Sequence, residues 1–118
     1  LGSYFTSQML YENDSLVINN TLIILNEAIS VEQIQSINML NILNVIVPFA
    51  KIIENSAFRK STFIRFVYAP LLNAIEPNSF FGCSNLRASI GKNITKIGVN
   101  AFHNCFNFNS IYRGGRLV

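Results

Sequence analysis

The side chains to weigh first for chemistry are two thiols, one imidazole and a pair of carboxylates: Cys83, Cys105, His103, Glu54 and Glu76. A zinc site takes about four nitrogen or sulfur ligands at short, paired spacings. Cys83 and Cys105 stand twenty-two residues apart with a single histidine between them, so ligand number and spacing both fail. A His103-based dyad or triad needs a positioned nucleophile and an orienting carboxylate, and no such constellation is readable around it. Glu54 and Glu76, again twenty-two residues apart, are read as solvated side chains rather than as a general acid and base. Neither G-x-x-x-x-G-K-S/T nor G-x-G-x-x-G occurs, so no phosphate cradle is expected. The reading assigns no catalytic, metal or cofactor-binding residue and no small-molecule substrate.

The shared spacing of those residues points to what positions them. Residues 53–64 read IENSAFRKSTFI, residues 75–86 read IEPNSFFGCSNL and residues 97–108 read IGVNAFHNCFNF. Ile53, Ile75 and Ile97 align, as do Phe58, Phe80 and Phe102, and then Ile64, Leu86 and Phe108. A fixed period with its large apolar positions in register is the signature of a solenoid. The small residues Ala57, Ser79 and Ala101 let the backbone turn tightly, and each following Phe fills the coil and packs on the next. Because every strand returns through a coil of the same hand, the sheet is expected to be parallel and right-handed. His103 falls where the other copies have Arg59 and Phe81, a variable corner.

The same stacking decides the thiols. Neighbouring coils lie roughly 4.8 Å apart, within disulfide Cα reach of about 4.4 to 6.8 Å. Identical positions project their Cβ atoms side by side, however, and free Cys is among the most buried residue types. A buried thiol ladder, slow to react, is expected of Cys83 and Cys105. Asn100 and Asn104 are expected to satisfy backbone groups within turns.

Half of the 118 residues are apolar and 13% are charged, which excludes a disordered polymer and a highly solvated helical bundle. The net charge of +3 is asymmetric. Residues 1–50 carry four acids and no Lys or Arg, whereas residues 51–118 carry all nine cations against Glu54 and Glu76, a net of +7. A basic half can point to nucleic acid, but these cations are scattered among apolar positions and read as a solvated solenoid face. No apolar run reaches the roughly 18 residues of a membrane span. The chain opens on Leu1 with no signal-peptide pattern and is read as a fragment. The sequons at Asn13, Asn19 and Asn93 become glycosylation sites only along a secretory route.

Three regions follow. Residues 1–27 are a hairpin, through the Asn19-Asn20 turn, or a degenerate repeat. Residues 28–111 are the solenoid, with about four repeats of which the first is degenerate: counting back twenty-two reaches Val31 and Ile42, but the Phe position becomes Ser36. Val31, Ile34, Ile37 and Leu40 suit one face of a short helix there, and Ser30 with Gln33 suits a capping box. Residues 112–118 are a truncated tail around Gly114-Gly115.

The phrase I-x-x-x-A/S-F-x-x-C-x-x-L resembles the BspA-type leucine-rich repeat. Ile75, Ser79, Phe80, Cys83 and Leu86 match it, as do Ile97, Ala101, Phe102 and Cys105 with Phe108 in the Leu place. Ser61 and Ile64 stand for Cys and Leu in the earlier copy. The resemblance implies a leucine-rich-repeat solenoid with one short parallel strand per coil and tight turns or single-turn helices at the corners. It also implies a surface or secreted protein engaged in adhesion or protein–protein contact, although some members lack a secretion signal. The expected function is a non-enzymatic module holding a protein ligand, with Arg65, Arg87 and Lys92 beside the strands as candidate ligand contacts. The alternatives are a basic face binding an anionic polymer or nucleic acid, and an incomplete fragment without independent activity.

Overall fold

The computed structural model describes residues 15–91 and 93–108, and beyond them the backbone of the strands Ser110–Arg113 and Arg116–Leu117. Residues 1–14 and Lys92 lie outside the described residues, and with them the sequon at Asn13. The strands are β1 (Ser15–Ile18), β2 (Thr21–Ile24), β3 (Ala28–Ile29), β4 (Asn44–Ile46), β5 (Ile52–Ile53), β6 (Phe66–Tyr68), β7 (Ala74–Ile75), β8 (Ala88–Ile90), β9 (Lys96–Ile97), β10 (Ser110–Arg113) and β11 (Arg116–Leu117), with one helix, α1 (Val31–Gln35). They form a seven-stranded sheet in the order β1-β2-β4-β6-β8-β10-β11 and a four-stranded sheet in the order β3-β5-β7-β9. Each coil therefore carries a second, two-residue strand besides the expected one.

The register states the period directly. Asn44 pairs with Phe66, Phe66 with Ala88 and Ala88 with Ser110, all parallel. β1 and β2 form an antiparallel hairpin, with Ser15 opposite Ile24 and Asn19 at φ 54° in the turn. β2 is at the same time the first parallel rung, with Thr21 opposite Asn44. Hairpin and degenerate repeat, two alternatives in the sequence, thus coexist in one segment. A second hairpin joins β10 to β11. A hairpin at each end leaves β1 and β11 as the sheet's edges.

The core lies between the two sheets, where inward positions stack as columns: Leu22, Val45 and Val67; Ile29, Ile53 and Ile75; Ala50, Leu72 and Ile94; Ile42, Ile64 and Leu86. Phe58 and Phe80 are wholly buried and their rings stack at 5.4 Å, 2° from parallel, with Phe102 continuing the stack at 5.3 Å. Such offset ring stacks add about 0.5–1.5 kcal/mol beyond the burial itself. Ile97, expected in the core, is instead 38% exposed. Among the described residues its strand β9 is the outer rung, paired with β7 alone, and no described strand stacks on the far side of that column. Phe102, Cys105 and Phe108 are partly buried against the core for the same reason.

The degenerate coil is longer than expected. Ile53 pairs with Ile29, not with Val31, which places Ile34 rather than Ser36 at the Phe position. Ile34 is buried and belongs to the core, so an aliphatic anchor replaces the aromatic one. The two extra residues follow it, because Ile42 still aligns with Ile64: Leu43 and Arg65, the residues after them, each donate N–H to the preceding coil. Ser30 caps α1, its Oγ accepting from the N–H of Gln33 at 3.2 Å. The helix ends at Ser36, whose N–H returns to Glu32 O while its Oγ donates to Gln33 O. Leu40 is past that end and 59% exposed, so the helical face expected through Leu40 stops at Ile34 and the partly buried Ile37.

Each regular corner is built on two left-handed residues around its Phe: Ser56 and Lys60, Asn78 and Gly82, Asn100 and Asn104, with φ between 58° and 75°. Asn and Gly tolerate this region at low cost, which explains four of the six; Ser and Lys do not. The alternating N–H groups of one corner reach the carbonyls of the next: Ser56 to Pro77 (3.1 Å), Phe58 to Ser79 (2.8 Å) and Lys60 to Phe81 (2.6 Å). Asn78, Phe80 and Gly82 repeat the pattern toward Val99, Ala101 and His103.

Candidate interaction face

The potentially reactive residues are used structurally. The Cys83 Sγ donates to Phe58 O and the Cys105 Sγ to Phe80 O, both at 3.0 Å. Each thiol thus ties its corner to the coil before it, and both are free. Burial pushes the Cys83 thiol up to about 12, the neighbouring Cys105 adds to the rise, and a backbone hydrogen bond from Ser61 opposes it. Cys105 is only half buried and is raised, again chiefly by burial. Ser79, wholly buried, donates toward the carbonyls of Ile53, Glu54 and Glu76. The Glu76 carboxylate accepts from Asn55 N–H at 3.1 Å, a contact between corners of neighbouring coils.

His103 is exposed and its ring lies 5.2 Å from that of Phe81, tilted by 31°, while the Arg59 guanidinium lies 5.0 Å above the centre of the same Phe81 ring. The variable corner is therefore a short ladder, Arg59–Phe81–His103, held by ring and cation–π contacts. Asn100 and Asn104 serve the turns through their left-handed backbones. The side-chain amides that satisfy carbonyls across coils belong instead to Asn85, donating to Thr62 O at 2.7 Å, and Asn107, donating to Ser84 O at 2.9 Å. Among the described residues no cluster of three His, Cys, Asp or Glu could hold a metal ion, and no helix is long and apolar enough to cross a membrane.

What remains for a partner is surface, and one part of it stands out physically. Alternation along the seven-stranded sheet sends Val45 and Val67 inward and leaves Asn44, Ile46, Phe66 and Tyr68 on the outer side. Phe66 is 43% and Tyr68 47% exposed, on the central strand β6. Arg65 and Arg87, one coil apart immediately before β6 and β8, are both exposed. The aromatic pair went unnoticed in the sequence, although the triplet Phe66-Val67-Tyr68 held the signal: once Val is inward, both aromatics face out.

Arg113 and Arg116 belong to β10 and β11 of the same sheet, and the other cations whose side chains are described lie on different sides. Lys51 pairs with Glu27 at 3.0 Å before the four-stranded sheet, Lys96 lies on that sheet, and Arg59 and Lys60 sit at the Phe corner.

Two sheets whose successive coils pair in parallel define a repeat solenoid, a scaffold whose extended faces serve protein interaction. The chain belongs to the BspA type leucine rich repeat family, whose model matches residues 51–116 in six copies. No curated protein and no solved structure matches it.

Proposed function

We propose that this chain is a non-enzymatic protein-binding module of a larger surface or scaffold protein, holding its ligand on the outer side of the seven-stranded sheet. The observation that carries this is the exposure of Phe66 and Tyr68 at the centre of that sheet. Large aromatics cost water contact when left outside a core, and with Arg they are the residue types that anchor protein interfaces. Arg65 and Arg87 would meet acidic groups at the rim of such a contact and favour an approaching acidic partner. Lys92, the third expected contact, lies outside the described residues.

The test is surface plasmon resonance of the folded chain against immobilised extracellular-matrix proteins, beside a Phe66→Ala/Tyr68→Ala double variant. A bound matrix protein should lose affinity by about 30-fold or more in the variant, since interface anchors typically contribute at least 2 kcal/mol. Unchanged affinity would move the ligand off this face. Binding to heparin or single-stranded nucleic acid that falls steeply with salt would support the anionic-polymer reading instead, which the placement of Lys51, Arg59, Lys60 and Lys96 away from Arg65 and Arg87 disfavours.

A further inference from the structure

We infer a second binding site, independent of the sheet face: the C-terminal end of the stack binds a short acidic protein segment that adds one more rung to the last corner and to β9. The two ends of the solenoid differ. At the first coil Leu22, Ile24 and Ile29 are wholly buried and Ile34 nearly so. At the last, Ile97, Val99 and Phe106 are 38%, 69% and 78% exposed, and Phe102, Cys105 and Phe108 are only partly buried. The backbone is open there as well. Corner N–H groups at Ser56, Phe58 and Lys60 bond the carbonyls of Pro77, Ser79 and Phe81, and those at Asn78, Phe80 and Gly82 bond Val99, Ala101 and His103. The next donors in the same columns, Asn100, Phe102 and Asn104, have no acceptor among the described residues. Beside them, Asn73 O and Ile75 O accept from Thr95, Lys96 and Gly98, whereas Thr95 O, one coil on, accepts from no described residue.

An open row of donors and acceptors is a template for another backbone, as an unpaired strand edge is. In the seven-stranded sheet the rung beside β10 is taken by the antiparallel β11. The open row is therefore confined to the corner and β9, and suits a segment as long as residues 95–106 rather than a whole coil. Its register prescribes the occupant. In both ladders the accepting coil has Asn or Gly at two left-handed positions with a Phe midway, Asn78 and Gly82 around Phe80, then Asn100 and Asn104 around Phe102. The occupant carries the same pattern, its aromatic ring extending the stack beyond Phe102. Charge completes the description. Residues 77–118 hold five Lys or Arg and no Asp or Glu, and Lys96 and His103 are exposed at this end. Two such ends would repel, which disfavours a second copy here and favours an acidic partner. A carboxylate two residues before the first Asn, where Glu76 reaches back to Asn55 N–H, would meet Val99 N–H in the Asn55 place.

The probe is a capped synthetic peptide with the sequence of residues 73–86, NAIEPNSFFGCSNL, titrated in reducing buffer into the whole isotope-labelled chain and followed by NMR. Saturable binding is expected, with the amide signals of Asn100, Phe102 and Asn104 moving most. The peptide N-methylated at Glu76 loses one donor and keeps every side chain, so it should bind about tenfold more weakly. The peptide carrying Glu76→Lys should be weakened similarly. Because Val99 and Phe106 are exposed, Val99→Asp/Phe106→Asp should keep native circular dichroism and also weaken binding about tenfold. Phe66→Ala/Tyr68→Ala should leave the peptide bound, which separates this site from the sheet face. No saturation at millimolar peptide, equal binding of the N-methylated peptide, or loss in the sheet-face variant would each overturn the proposal. So would a dimer in sedimentation equilibrium that Val99→Asp/Phe106→Asp dissolves, since a second copy would then fill this end.

Discussion

Gly98 marks how closely the coils approach one another. A Cβ there would lie 2.3 Å from Pro77 N and 2.6 Å from Glu76 C, contacts with backbone that cannot swing away. At Gly82 the obstacle is different: φ is +75° and the nearest atom is the flexible Lys60 Cγ at 3.3 Å. Gly98→Ala should therefore cost more than Gly82→Ala, about 2–3 against 1–2 kcal/mol, as compared by urea midpoints; the reverse order would contradict the packing. The thiols differ too. Cys105, half buried, should react with a thiol reagent first, while Cys83 should wait for unfolding, a distinction that the expectation of a slow-reacting thiol ladder did not draw. Because the folded Cys83 ionises near 12 and the unfolded thiol near 9.0, its contribution to stability is intact below pH 9.0 and is lost as pH rises from there through about 12. Cys83→Ala should flatten the alkaline decline in urea midpoint between pH 9 and 11; an unaltered slope would show that other groups cause it.

At the scale of elements, the Phe stack is what makes three corners one structure. Phe80 touches Phe58 on one side and Phe102 on the other, whereas Phe102 is only partly buried. Phe80→Ala removes both contacts and opens a cavity that the surrounding coils cannot collapse into, at a cost of about 3–5 kcal/mol. Phe102→Ala should cost distinctly less, and equal denaturation midpoints for the two would argue against a stack centred on Phe80. These three Phe positions were legible because the period repeats them in register. The helix was legible only in part. Its cap at Ser30 followed from residue type, but its end did not: Leu40 continues the apolar spacing yet falls beyond Ser36, whose backbone and hydroxyl bonds close the last turn. Counting by twenty-two also misplaced the anchor, since a period says nothing about where two extra residues are accommodated.

The whole molecule is a stack in which each coil touches mainly its neighbours, so protection should follow position in the stack. Amide hydrogen exchange should be slowest at Val45 and Val67, in rungs bonded on both sides, and faster at Ile97 in the outer rung β9. Uniform protection along the chain would mean a single cooperative unit without such a gradient. The sequence by itself determined the solenoid, its period and its Phe and aliphatic columns, because a coil that cannot bury its own apolar face must repeat that face in register. It also showed that the thiols belong to that packing. Tertiary structure decided the rest: that Ile29 rather than Val31 begins the degenerate coil, that Ile97 is left outside, and that Phe66 and Tyr68 share an outer face. Those outcomes depend on which rung lies beside which and where a longer coil places its surplus, and pairing across coils is fixed only when the chain has closed on itself.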